Sequence, residues 1–396
     1  VAGAAGVGTG ISNPELVDFV TPRDNPTTDA KVLLGDRLFN DKRISANGKV
    51  ACATCHEPAR AFTDGKALAE GVARGNRNSP TVVNALFSAT QFWDGRAPSL
   101  EEQAKLPVTN PVEMGLKDAA DAENHIKAIA QYPPLFQQAF GDPAITFDRF
   151  AMAIAAFERR QISKPAPFDR YLQGNPRAIS AAAQRGWTIF NGQGDCISCH
   201  GMSATGAFFT DGKFHNIGVA AHKQNFVELA KKGMRVIETG NLKQIDELAV
   251  ESPEFTELGR FMVTKNPGDI GAFKTPTLRN IMVTGPYMHD GSMATLWDVM
   301  DHYNRGGTAN PYLDGGIHRL GLTESQIDDV VAFLATLTSP EFEALGRKEY
   351  ARQLALSRKR RPERKTDIAL GRAGDGSDAV QKAGAEDPAK LGDVGL

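Results

Sequence analysis

Apolar positions recur at helical rather than alternating spacing along most of this chain. The stretch from Phe147 to Phe157 keeps one apolar face and ends in Glu158-Arg159-Arg160. Ile327, Val330, Val331 and Leu334 form another stripe, and Thr323-Glu324-Ser325-Gln326 ahead of it reads as a capping box. Further helices are predicted over 99–107, 119–131, 178–190, 223–234 and 242–249, while signals for β structure are thin. A weak repeat runs through the pattern. Gly35-Asp36-Arg37-Leu38-Phe39 and Gly186-Trp187-Thr188-Ile189-Phe190 each place a glycine ahead of an apolar–aromatic pair. Between the two series lies Lys164-Pro165-Ala166-Pro167, a linker composition. The expected organisation is an N-terminal extension over 1–30, helical domains over 31–163 and 164–345, and a tail over 346–396. That tail opens with the basic run Arg358-Lys359-Arg360-Arg361 and Arg364-Lys365. From Gly371 it loses any apolar period, so it is expected to be flexible.

A length of 396 residues accommodates two packed domains, and a formal charge of -2 gives no reason to expect nucleic acid. No stretch approaches twenty apolar residues, so no membrane span is predicted. Val1-Ala2-Gly3-Ala4-Ala5-Gly6 lacks the basic region of a signal peptide and reads as a remnant of export processing.

The candidate chemistry sits in the cysteines. All four belong to two C-x-x-C-H units, Cys52-Ala-Thr-Cys55-His56 and Cys196-Ile-Ser-Cys199-His200. Each pair is spaced to form thioethers to a porphyrin, with His56 and His200 as proximal iron ligands. Two copies, both followed by histidine and with no cysteine left over, weigh against a redox dithiol or half a zinc site. The fold reading thus becomes two tandem cytochrome c-type domains, each holding one covalent haem c. Such haems imply assembly outside the cytoplasm, here the periplasm, and leave no thiol for disulfides.

What the irons do depends on their sixth position. None of the eight histidines lies between His56 and His125, and the loop from Ala59 to Arg77 contains no methionine. The first haem is therefore expected to be open on one face, with His125 either a distant ligand candidate or a solvent-facing residue. Downstream, Glu113 is suited to move a proton during peroxide cleavage and Gln103 to orient peroxide by hydrogen bonding. An ordinary surface position is the alternative for Glu113. Trp93 reads as either core packing or an electron relay.

Taken together, several segments make the chain resemble the di-haem cytochrome c peroxidase superfamily and its MauG-like branch. They are Arg77-Asn78-Ser79-Pro80-Thr81, Gln91-Phe92-Trp93-Asp94-Gly95-Arg96, Thr109-Asn110-Pro111-Val112-Glu113-Met114, Phe209-Thr210-Asp211-Gly212, Thr275-Pro276-Thr277-Leu278-Arg279-Asn280 and Gly285-Pro286-Tyr287-Met288-His289-Asp290-Gly291. The resemblance implies a peroxide-reactive first haem with Glu113, Gln103 and Pro107 on its distal side, an electron-transfer second haem, and Trp93 between them. It also implies a structural calcium ion held by Asn78, Thr284 and Pro286; Tyr287 is either a further aromatic candidate for the second haem or a structural residue beside that calcium site. Within Leu296 to Gly307, Tyr303 falls where peroxidases of the family carry a methionine ligand to the second haem. Met300, three residues earlier, competes for that role, and His302 is adjacent. Tyrosine favours high oxidation states and methionine ferrous iron. The implied activity is peroxide-driven oxidation of a residue, tryptophan first, in a partner protein. The rival is peroxide reduction with electrons from a small cytochrome c or cupredoxin. The segment Val219 to Leu248 is expected to lengthen the second domain relative to MauG and to alter the partner surface.

Overall fold

The structure, a computed structural model, describes residues 20–202, 207–222, 225–239 and 252–370, with side chains as far as 360. Helices dominate: α1 Asp29–Asn40, α2 Cys52–Cys55, α3 Leu100–Thr109, α4 Ala119–Lys127, α5 Tyr132–Phe140, α6 Phe147–Arg159, α7 Pro167–Leu172, α8 Ala181–Asn191, α9 Phe226–Thr239, α10 Phe261–Thr264, α11 Leu296–Arg305, α12 Glu324–Ala335 and α13 Glu343–Leu370. Among the described residues the sheet is one antiparallel pair, β1 Phe214–His215 with β2 Phe273–Lys274. Thr28, Ser99, Thr146, Ser180, Thr295 and Thr323 each start a helix by accepting the backbone N–H three residues on. Gln326 completes the expected box at Thr323.

One large core spans Leu34 to Phe157 and another Phe168 to Leu337. The glycines of the short repeat explain both. A Cβ on Gly35 would overlap the Ala153 carbonyl of α6, and one on Gly186 the Asp329 carbonyl of α12. Each helix thus crosses its partner at backbone contact, and the aromatic residue one turn on enters the core. Phe39 meets Phe62 and Phe157, while Phe190 meets Phe209 and Phe333.

A longer repeat, unseen in the letters, lies between the helices. Pro80 to Arg96 and Pro276 to Ser292 share backbone features at a constant sequence offset, apart from the cis Gly285–Pro286 bond in the second. Left-handed conformations recur at Asn84 and Asn280, Phe92 and Met288, and Gly95 and Gly291. At the same offset α3 matches α11 from first residue to last. The two halves then bond reciprocally. The Asn78 N–H donates to the His289 carbonyl, and its counterpart Lys274 donates to the carbonyl of Trp93, the counterpart of His289, both at 2.8 Å. That is the pattern of an isologous, two-fold contact inside one chain.

The second half also carries an excursion between β1 and β2. Phe226, Leu229, Phe255, Leu258, Phe261 and Ile270 give it a small core of its own. Its Arg260 braces the first half through the Asp94 and Gly95 carbonyls. The expected helix over 242–249 lies outside the described residues, as do 1–19 and 371–396. One expectation needs correction. The segment from 346 is helical as far as Leu370, and Gln353 and Ser357 on it are fully buried. Among the described residues no helix is long and apolar enough to cross a membrane.

Candidate functional site: two haem cavities with a shared wall

Each C-x-x-C-H unit opens onto a large cavity, about 1400 Å³ in the first half and 2100 Å³ in the second with their mouths included. Cys52, Cys55 and His56 line the first; Cys196, Cys199 and His200 line the second. No thiol is in a disulfide. Both histidines are poised as metal ligands. The Nδ1 of His56 lies 3.2 Å from the Phe62 carbonyl, and that of His200 lies 2.8 Å from the Phe209 carbonyl. A carbonyl only accepts, so Nδ1 carries the proton in each and Nε2 keeps its lone pair for iron. Burial lowers the pKa of both imidazoles, favouring that neutral form.

The Phe62 and Phe209 carbonyls are aimed by backbone at φ of 59° and 56°. In both halves a threonine hydroxyl fixes the residue before, Thr81 to Ala61 O and Thr277 to Phe208 O, each at 2.6 Å. In the second half Arg279 adds a buried brace. It pairs with Asp169 through two hydrogen bonds of 2.7 and 2.6 Å and donates to the Ala207 carbonyl.

Asn78 to Thr81, Ala85 and Gln91 to Trp93 line both cavities, so they form the shared wall. Trp93 stands in that wall with its indole N–H donating to the Asn78 carbonyl at 2.9 Å. The first cavity also gathers Gln103, Pro107 and Glu113. Asn110 Nδ2 donates to the Glu113 carboxylate at 2.9 Å, and burial raises the Glu113 pKa against the pull of Arg96. Glu113 is therefore a cavity group and not an ordinary surface residue. His125 is half-exposed on α4, bonded to the Asp121 carbonyl, and does not line either cavity.

In the second cavity both Tyr303 and Met300 reach the wall. Met300 is packed in the apolar core. Tyr303 lines the cavity without a side-chain hydrogen bond among the described residues, so its hydroxyl could serve as a ligand there. The repeat sharpens this contrast, because Pro107 of α3 occupies the position of Tyr303 on α11. One half carries an oxygen donor there and the other a ring with nothing to donate. His302 points elsewhere: its Nε2–H donates to the Ile217 carbonyl and its Nδ1 faces His222. Burial, followed by His222, lowers its pKa to about 4.

Asn78, Thr284 and Pro286 line the second cavity together. The Asn78 amide nitrogen is spent on the Lys66 carbonyl, leaving Oδ1 free for a hard cation. The Tyr287 hydroxyl is engaged with the Ile281 carbonyl and Gln353. Sequence reasoning missed Glu158, a buried carboxyl on the wall of the first cavity whose pKa burial pushes up to about 8. Its signal was hidden in a charged Glu-Arg-Arg run that ends a helix.

Residues 29–177 match the family described as di-haem cytochrome c peroxidase. The chain is 37% identical over 321 residues to the methylamine utilization protein MauG of Methylophilus methylotrophus, covering 80% of this chain and 84% of that one. It is 38% identical over 327 residues to a cytochrome-c peroxidase of Denitromonas iodatirespirans, covering 81% and 84%. Among solved structures, a MauG-like protein associated with microbial copper homeostasis superposes with a TM-score of 0.66 at 33% identity, over 81% of this chain and 95% of that one. With a large cavity at each C-x-x-C-H unit and these relatives, the chain belongs to the di-haem cytochrome c peroxidase family and is a haem c-dependent oxidoreductase acting with peroxide.

Proposed function

We propose that this enzyme uses hydrogen peroxide to oxidise a residue, tryptophan first, in a separate protein during that protein's maturation in the periplasm. The observation that carries this reading is the exchange of Pro107 for Tyr303 at equivalent positions of α3 and α11. Haem, when bound, would hold the oxidising equivalents taken from peroxide; the chain decides where peroxide enters and how charge leaves. Pro107 offers no ligand atom, so the distal face of the first cavity stays open. Gln103 orients peroxide there. Glu113, held by Asn110, takes the proton from the near oxygen and returns it to the departing one. His200 and Tyr303 line the same cavity and would hold the second haem there, the phenol oxygen being a donor that would favour oxidised iron. Trp93 conducts between the two sites, so a partner can be oxidised without touching iron. Asn78, Thr284 and Pro286 hold a calcium ion that stiffens the joint between a domain over 31–163 and one over 164–345.

The rival reading is peroxide reduction to water with electrons from a small cytochrome c or cupredoxin. It is favoured by the Denitromonas relative and by Met300 at the cavity wall. One equivalent of hydrogen peroxide added to the ferric holoenzyme without reductant separates them. The proposal expects a long-lived state holding two oxidising equivalents, discharged by a tryptophan-bearing protein. Peroxide turnover only after partial reduction by an electron donor overturns it.

A further inference from the structure

Trp297 lines neither cavity, yet it sits one residue behind a cavity wall. It lies on α11 among Leu296, Val299, Met300 and Tyr303, which face the second haem cavity. The ring is fully buried. Its Nε1–H donates to the Asp328 carboxylate at 2.7 Å. On its outer side Tyr350 of α13 meets it edge-on, with centroids 5.6 Å apart and planes at 66°. Tyr350 is half-buried, and α13 presents Lys348, Arg358 and Lys359 to solvent nearby. Arg358 is close enough to act on the charge of the Tyr350 phenol.

Packing alone calls for apolar bulk at position 297. An oxidisable ring with a carboxylate on its proton, followed outward by a second oxidisable ring, is more than bulk. We propose that Trp297 and Tyr350 form an electron port from the second haem cavity to the α13 surface, where an acidic partner protein docks its oxidisable residue. This rests on the protein-oxidising reading above and adds the route and the charge of the partner. Each passage moves one electron. Trp297 gives an electron toward the cavity and its Nε1 proton to Asp328. An electron from the partner then crosses the Tyr350 ring, the proton returns from Asp328, and Trp297 is restored. Burial, with Asp328 adding to it, raises the Tyr350 pKa, so its phenol stays protonated as a bridge. Two passages use the two equivalents of one peroxide, which with two protons becomes two waters. The partner is left oxidised by two electrons.

Ferrocyanide, an anionic one-electron donor, serves as the probe with peroxide-treated holoenzyme. The port expects its oxidation to fall at least tenfold in Trp297→Phe and in Tyr350→Ala, with the resting spectra of both haems unchanged. It also expects the parent rate to fall with added salt, and the Arg358→Glu, Lys359→Glu double variant to lose most of that dependence. Parental rates in both aromatic variants overturn the port. Tyr350 is only half-buried, so Tyr350→Ala decides the matter even if Trp297→Phe misfolds. Ferrocyanide oxidation reads the port whether or not the enzyme stores two equivalents. Failure of the storage experiment therefore sinks the protein-oxidising reading and leaves the port to be judged on these rates.

Discussion

If α3 and α11 are equivalent, a ligand moved from one to the other should close the open haem. The perturbation is Pro107→Tyr, which puts on the first cavity the side chain that Tyr303 puts on the second. The backbone tolerates the change: position 107 is inside a helix, where proline costs about 3 kcal/mol relative to ordinary residues. A phenol there has two states, bound to iron or buried without a partner. An unsatisfied buried hydroxyl costs about 1–3 kcal/mol, which favours the bound state by roughly 5- to 140-fold before any iron–oxygen bond is counted. The second-order rate of the peroxide reaction, followed by stopped-flow loss of the resting spectrum, should fall by at least that factor. The ferric spectrum should convert from one high-spin and one low-spin haem to two low-spin haems. A Pro107→Tyr protein that folds, keeps a high-spin haem and reacts with peroxide at the parental rate refutes the equivalence.

Other consequences are structural. Gly186→Ala drives a methyl into the Asp329 carbonyl. Overpacking of about 1–3 kcal/mol outweighs roughly 1 kcal/mol of gained helix propensity, so thermal unfolding should come earlier and perturb the second haem's spectrum first. Gly35→Ala should do the same at the first haem. Arg279→Met strands the buried Asp169 carboxylate and should cost about 3–5 kcal/mol by denaturant unfolding, with a loosened His200. Glu158 has its pKa raised from 4.5 to about 8, so its contribution to stability is whole below 4.5 and lost as pH rises through 8. Glu158→Gln should flatten melting temperature across that range and stabilise the protein at the alkaline end, by on the order of a few kcal/mol. An unchanged pH profile contradicts the assignment.

The haem motifs and the glycine-led helices were legible because each depends on residue type at short spacing. Gly35 and Gly186 had to be glycine for the crossing, and Phe39 and Phe190 follow one helical turn later. The long repeat was not legible. Few letters survive between Pro80–Arg96 and Pro276–Ser292 beyond Pro-Thr, one Asn and Asp-Gly. What persists is backbone conformation, such as the left-handed turn made by Phe92 in one half and Met288 in the other. The equivalence of Pro107 and Tyr303 therefore needed coordinates. The helix continuing past residue 346 was obscured for a different reason. Its buried face alternates Tyr350, Gln353, Leu354 and Ser357, and Gln353 is used in hydrogen bonds to Leu296, Met282 and Tyr287. A buried stripe that is half polar leaves no hydrophobic period to find.

The central claim is that the two irons are closed differently, one by nothing and one by Tyr303. Low-temperature EPR with optical spectra of the ferric holoenzyme and of Tyr303→Phe tests it most directly. The account predicts one high-spin and one low-spin haem, no methionine–sulfur charge-transfer band, and loss of the low-spin signal in Tyr303→Phe. A methionine band, or a low-spin haem that survives in Tyr303→Phe, contradicts it.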